Sequence, residues 1–184
     1  MSRFPATVFI SAVLFLSQAA DIFGQQTSLE KVRELYFGMK ESMDGALNLY
    51  FRLKPLDLSG SPVLLAYRGV ASAAAAGSVG GINKKMNYFS QGKSELEQAV
   101  KMRPGDLEIR FLRLATQLNA PSFLGYHGSV DEDKRLIVNL LTQFKPNEPN
   151  AYLYHWISEF LLAIDILNPG ERKKVLLVKE KFRN

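Results

Sequence analysis

Three times in this chain an apolar residue, a basic residue and a proline stand in a row: Leu53-Lys54-Pro55, Met102-Arg103-Pro104 and Phe144-Lys145-Pro146. Proline has no amide proton and its ring clashes with the preceding helical turn, so each triplet closes one helical stretch and opens another. From proline to proline the intervals are 49 and 42 residues. Punctuation at that spacing predicts helix pairs that stack on one another, each burying a face it cannot bury alone. The expected fold class is all-α: a short α-solenoid of about three helix pairs plus a C-terminal helix.

The apolar periodicity fills in the helices. Thr27 opens a capping box with Glu30, whose side chains satisfy each other's orphan amides. A first helix then runs to Leu53, with Leu29, Val32, Leu35, Tyr36, Met39, Met43, Leu47 and Tyr50 on one stripe, weakened at Gly38 and Gly45. Ser61-Pro62 caps and starts a second helix over 63–76, whose end is a run of small residues that permits close helix approach. A third spans 84–102, interrupted at Gly92, where Ser94 and Glu97 offer a fresh capping box. Asp106 caps a fourth. Its apolar stripe is Leu107, Phe111, Leu114 and Leu118, and a polar stripe of Asp106, Arg110, Arg113 and Gln117 lies beside it. Ser129 and Glu132 form another capping box, opening a fifth helix that runs to Phe144. A sixth carries Leu153, Trp156, Ile157, Phe160, Leu161 and Ile164, and Asn168-Pro169-Gly170-Glu171 begins a seventh.

The N-terminus reads as an address rather than as fold. Arg3 supplies a positive charge, residues 8–16 are apolar except for Ser11, and small residues follow at Ser17, Ala19 and Ala20. This is the pattern of a secretory signal peptide over 1–20, with cleavage as late as residue 25, ahead of a single helical-repeat domain over 26–184. The apolar run falls short of the ~20 residues a bilayer span needs, so no membrane span is expected after cleavage. The chain has no cysteine and no Asn-x-Ser/Thr sequon. An exported chain without disulfide staples or glycan acceptors points to the periplasm or cell envelope of a Gram-negative bacterium. The net charge of +5 is drawn partly from Arg172, Lys173, Lys174, Lys179, Lys181 and Arg183 near the C-terminus. In that compartment nucleic acid is not an expected partner. The basic helix is read as a solvated face or as a contact with an anionic surface.

Two resemblances follow from these residues. Ala99 ahead of Pro104, together with the small-residue runs, resembles tetratricopeptide repeats, in which a small residue sits in the second helix and a proline closes it. No unit shows the Trp-Leu-Gly-Tyr order of that repeat, and the units exceed its ~34 residues. The stretch 93–126, with Glu108-Ile109-Arg110-Phe111-Leu112-Arg113 and Pro121-Ser122-Phe123-Leu124-Gly125-Tyr126, resembles a family of exported, uncharacterised helical-repeat proteins of Bacteroidota. That resemblance implies fold and localisation and carries no catalytic residue.

Candidate chemistry is sparse. Asn87 to Ser94 ends in Gly-Lys-Ser like a phosphate-binding loop, but lacks its first glycine and the strand that precedes such a loop. His155 and Glu159, four apart on a helix, share a face, but two ligands do not make a metal site. No Ser-His-Asp or Cys-His arrangement is present, and no cofactor is expected. Arg110 and Arg113 with Gln117 have two readings: a clamp for a carboxylate or phosphate, or an ion-pair network with Asp106, Asp131, Glu132 or Asp133. The loop over 119–128 brings Phe123, Leu124, Tyr126 and His127 together, either folded onto the core or offered to a partner.

The leading expectation is a non-enzymatic interaction scaffold that binds an envelope protein or peptide. Its candidate contact residues are Arg110, Arg113, Gln117, Phe123, Tyr126 and His127. The alternative is a small-ligand binder, with a pocket between helices lined by the Ala/Gly-rich second helix and by Tyr67, Tyr88, Phe89 and Tyr126. A metal-dependent hydrolase using His155 and Glu159 is the remote third.

Overall fold

A computed structural model describes residues 29–182, apart from Met43, Pro146, Glu148 and the Lys40 side chain. The segment read as a signal peptide and the capping box expected at Thr27 lie outside the described residues. The fold is all-α. Among the described residues eight helices follow one another: α1 (29–37), α2 (Gly45–Leu53), α3 (Pro62–Ala75), α4 (Ile82–Met102), α5 (Leu107–Asn119), α6 (Val130–Thr142), α7 (Ala151–Ala163) and α8 (Pro169–Glu180). Short 3₁₀ turns at Gly38–Glu41 and Ser122–Leu124 complete it, with no strand among the described residues. No described helix is long and apolar enough to cross a membrane.

The first two proline triplets sit where the sequence puts them, since α2 ends at Leu53 and α4 at Met102. The third is offset: α6 stops at Thr142, and Phe144 is buried just beyond it.

Three local expectations are corrected. The helix expected to run to Leu53 is two helices. The chain leaves α1 through the 3₁₀ turn and reverses, so that the start of α2 lies on that turn. A Cβ on Gly45 would meet the Met39 backbone, with carbon atoms only 3.0 Å away, so the reversal requires glycine there. In contrast, α4 runs unbroken through Gly92 for 21 residues. Glu97 caps nothing; its carboxylate accepts from Arg113 Nη1 at 2.9 Å and from the Tyr126 hydroxyl at 2.8 Å. At α6 the Ser129 side chain makes no capping bond. Its amide instead donates to Gln117 Oε1 at 3.0 Å. Two other caps form as expected. Asp106 accepts from the amides of Glu108 and Ile109, and Asn168 and Glu171 satisfy each other's backbone reciprocally.

The core is organised around α3 and α5. α3 packs on α2, α4 and α5, most extensively on α4. α5 is buried from Glu108 through Gln117 without a break, so its polar stripe lies inside the protein rather than facing water. Charges buried in this way must be paired. That requirement shapes the region around the candidate site.

α1 closes over one end of the core. Tyr36 and Phe37 meet Trp156 of α7 edge to face, at ring-centroid distances of 6.0 and 4.5 Å, and Trp156 in turn meets Phe111 of α5 at 4.7 Å. Each such ring pair adds about 0.5–1.5 kcal/mol beyond burial. In an open array whose units touch only their neighbours, the first and seventh helices stay apart; here their rings are joined.

Candidate functional site

α3 ends in small residues, and their effect on packing is direct. Ala73, Ala74, Ala76 and Gly77 project nothing large toward the neighbouring helices, and the space they leave is a cleft of about 900 Å³. That lies within the usual range for a small-molecule site, about 300–1,000 Å³. Tyr36 and Phe37 of α1 and Met39 of the first 3₁₀ turn form one wall. Ile82, Lys85, Met86 and Phe89 of α4 form another, at the three- and four-residue spacing that puts them on one helix face. Ala115, Thr116 and Asn119 of α5 continue into Pro121, Phe123 and Leu124, while Trp156 and Phe160 of α7 lie at the aromatic end.

The rim is unusually apolar for solvent-facing surface. Ile82 is 68 % exposed and Phe123 78 %, and Met86 is exposed beside them.

Polar groups in the lining are few and mostly committed. Thr116 donates to the Leu112 carbonyl at 2.9 Å and Asn119 to that of Ala115 at 2.7 Å. The Tyr36 hydroxyl has no hydrogen-bond partner among the described residues, and burial pushes its pKa above the usual phenol range, keeping it protonated. Among the described residues Lys85 is the sole charged side chain of the lining, and it has no ion-pair partner there.

Beside the cleft, the polar stripe of α5 folds under α6. Asp133, with no exposed surface, receives Arg113 Nε and Nη2 at 2.7 Å each, Arg110 Nη1 at 2.8 Å and Gln117 Nε2 at 3.0 Å. Arg110 also reaches Glu132 at 2.6 Å and the Pro104 carbonyl at 2.6 Å. Burial works against the Arg113 charge, but the hydrogen bond and attraction of Asp133, with Glu97 added, outweigh it and raise its pKa. Asp131 takes no part and pairs with Lys134, while Asp106 caps α5 and pairs with Arg103.

The six candidate contact residues therefore fall in three places. Arg110, Arg113 and Gln117 are buried and hydrogen-bonded to Asp133, with Glu97, Glu132 and the Pro104 carbonyl as further acceptors for the arginines. Tyr126 is buried with them: it donates to Glu97, meets Phe89 edge to face at 5.9 Å and lies under the Lys93 ammonium. Burial first, then the Glu97 hydrogen bond, raise its pKa. Phe123 stands on the cleft rim. His127 is exposed and outside the cleft lining.

Of the four aromatic residues expected to line a pocket, Phe89 does so. Tyr67 is buried in a separate network, donating to Glu108 at 2.6 Å, and Tyr88 packs on Tyr50 at 5.3 Å. Sequence reasoning missed Ile82, Lys85, Met86, Trp156 and Phe160. The signal that could have found the α4 wall was an apolar stripe at Ile82, Met86 and Phe89 broken only by a lysine.

The remaining candidates are placed as follows. Asn87 to Ser94 lies wholly within α4, with no Gly-rich turn to cradle a phosphate. Glu159 pairs with Lys179 at 2.8 Å, which lowers its pKa, and His155 packs edge to face on Phe182 at 5.2 Å. No group of three His, Cys, Asp or Glu residues suited to a metal occurs among the described residues. Comparison of the chain with family models, with curated proteins and with solved structures gives no match.

Proposed function

We propose that this protein is a non-enzymatic binding protein that holds an apolar small molecule in the cleft between α1, α3, α4, α5 and α7. The observation that carries the reading is the cleft itself: about 900 Å³, walled by alanines and aromatic rings, with exposed apolar residues at its rim. A well-packed domain rarely leaves such space without use, because a void forfeits the contacts its lining would otherwise make. The Tyr36 hydroxyl, without a hydrogen-bond partner among the described residues, adds a donor that a ligand oxygen can satisfy. The signal-like N-terminus supports the same role in the periplasm or envelope.

The test uses N-phenyl-1-naphthylamine, an uncharged dye whose fluorescence rises in apolar surroundings. Saturable uptake of one dye per chain is expected. It is lost in Ala74→Trp, where a large ring placed at an exposed position of the lining fills the space without displacing the core. Absence of saturable uptake by the wild-type protein would end this reading.

The exposed Ile82 and Phe123 support a second reading, an interaction scaffold on tetratricopeptide-like helix pairs, in which apolar side chains of an envelope peptide enter the same cleft. In that reading Lys173 and Lys174 of α8, without ion-pair partners among the described residues, extend the contact to an anionic surface.

A further inference from the structure

The charge at the mouth of the cleft is one-sided. Lys85 lines it with no carboxylate in the described lining and no ion-pair partner among the described residues. The first turn of α4 adds to this. The helix starts at Ile82 after Gly81 with no side-chain cap and no acidic residue in its first turn, which instead holds Lys84 and Lys85. A helix N-terminus carries a partial positive charge, so two ammonium groups there oppose the helix's own field. The opposition is relieved by an anion at that spot. The rest of the lining is mostly apolar, with Ile82, Met86, Ala73, Phe89 and Trp156 in it.

From this geometry we propose that the occupant is a single-chain fatty acid, its hydrocarbon tail along the Ala/aromatic cleft and its carboxylate at Lys85 and the α4 N-terminus. The inference rests on the cleft-binding reading above and specifies its ligand class. The size favours one acyl chain, since about 900 Å³ is the space of one small molecule rather than of a two-chain lipid. Charge complementarity favours an acid over an alcohol or an amine of the same tail. An exposed ammonium–carboxylate pair contributes at most about 1 kcal/mol, which corresponds to a preference of about fivefold.

The experiment is displacement of bound N-phenyl-1-naphthylamine by dodecanoate, dodecanol, dodecyltrimethylammonium and dodecyl phosphate, each below its micelle concentration. Dodecanoate is expected to displace the dye at about fivefold lower concentration than dodecanol, with the cation weakest and the phosphate no better than the acid. The preference shrinks between about 0.05 M and about 0.5 M salt. Lys85→Gln brings dodecanoate to the level of dodecanol, while Lys85→Arg keeps the gap. Lys85 is exposed, so neither change should disturb folding, and far-UV circular dichroism checks that.

Equal displacement by acid and alcohol overturns the proposal, as does a preference that survives Lys85→Gln. Stronger displacement by dodecyl phosphate overturns it in favour of a phosphate head. Displacement by an amphipathic helical peptide at lower concentration than dodecanoate assigns the cleft to a protein partner. If the dye is not taken up at all, it is the cleft-binding reading that fails. If the dye binds and every tail displaces it alike, only the head-group assignment does.

Discussion

Gly69 of α3 and Gly92 of α4 lie backbone to backbone. A methyl group at Gly69 would sit 2.9 Å from the Gly92 carbonyl oxygen, and one at Gly92 would sit 2.8 Å from the Ala73 Cβ and against the Gly69 carbonyl. The Ser72 hydroxyl donates to the Tyr88 carbonyl at 2.9 Å across the same crossing. Two helices can approach this closely only where neither carries a side chain. Gly92→Ala should therefore force them apart. Overpacking of this kind costs about 1–3 kcal/mol, and exceeds the gain of up to about 1 kcal/mol that alanine brings to a helix interior. A lower urea midpoint is expected for Gly92→Ala. Gly60→Ala, whose added carbon meets nothing within 4 Å, should stay near wild type. An unchanged midpoint for Gly92→Ala would place the helix crossing elsewhere.

Asp133 is the common acceptor for Arg110, Arg113 and Gln117, and it is wholly buried. Removing one partner of a buried pair leaves the other charge uncompensated, at a cost of about 3–5 kcal/mol. Asp133→Asn should lower stability by that order in urea titration. Asp131→Asn, two residues away with its side chain 82 % exposed, should change it by less than about 0.5 kcal/mol. A double-mutant cycle between Arg113 and Asp133 should give a coupling energy above about 1 kcal/mol. Coupling near zero would mean that the arginines are held by other groups.

These two sites show what was legible in the sequence. The helices themselves were, for the most part, because apolar spacing and proline are local signals, and Asp106 and Asn168 cap as their types suggest. The meaning of Gly92 was not legible. A glycine that ends a helix and one that lets a second helix approach look alike until the neighbour is known. Arg110 and Arg113 were visible as a pair, but whether their stripe faced water or α6 depended on how α5 is packed. The cleft is harder still. It is a gap, produced by what Ala73, Ala74 and Gly77 lack, and its walls come from residues as distant in sequence as Tyr36 and Phe160.

Glu132 should leave a signature in acid. The Arg110 hydrogen bond, followed by attraction to Arg110 and Arg113, holds its carboxyl below the ordinary carboxylate range despite some burial. A group whose pKa is lowered on folding stabilises the fold at pH values above its unfolded pKa, about 4.3 for glutamate. That contribution is lost as pH falls through the lowered folded value. Because the side chain is 58 % exposed, solvent screening limits the effect to about 1 kcal/mol. Wild type should exceed Glu132→Gln in urea midpoint at about pH 6, and the gap should close toward about pH 3. A gap that is constant with pH would show that the glutamate acts through something other than its charge.

Glu108 ties α1 to the core. Arg33 of α1 donates to both its carboxylate oxygens, at 2.7 and 2.6 Å, and Tyr67 donates to the first at 2.6 Å, all three residues being buried. Arg33 also reaches Asn150 ahead of α7 at 3.4 Å. The Tyr67 hydroxyl is driven well above the usual phenol range by burial first and by the Glu108 charge next, so it stays a donor. Since α1 carries Tyr36 and Phe37 onto Trp156, this buried cluster also holds one wall of the cleft. Glu108→Gln leaves the Arg33 guanidinium without a carboxylate, so the cost of the change should fall first on α1, which that pair ties to α5. Trp156 is the only tryptophan in the chain and reports on that wall directly. In wild type its fluorescence change and the loss of helical circular dichroism should coincide along a urea titration, as they do for a two-state domain. In Glu108→Gln the fluorescence should shift to the red at lower urea than the circular dichroism, and dye uptake should fall with the fluorescence. Coincident transitions in the variant would show that α1 is held by its rings alone and that the buried ion pair does not govern the cleft wall.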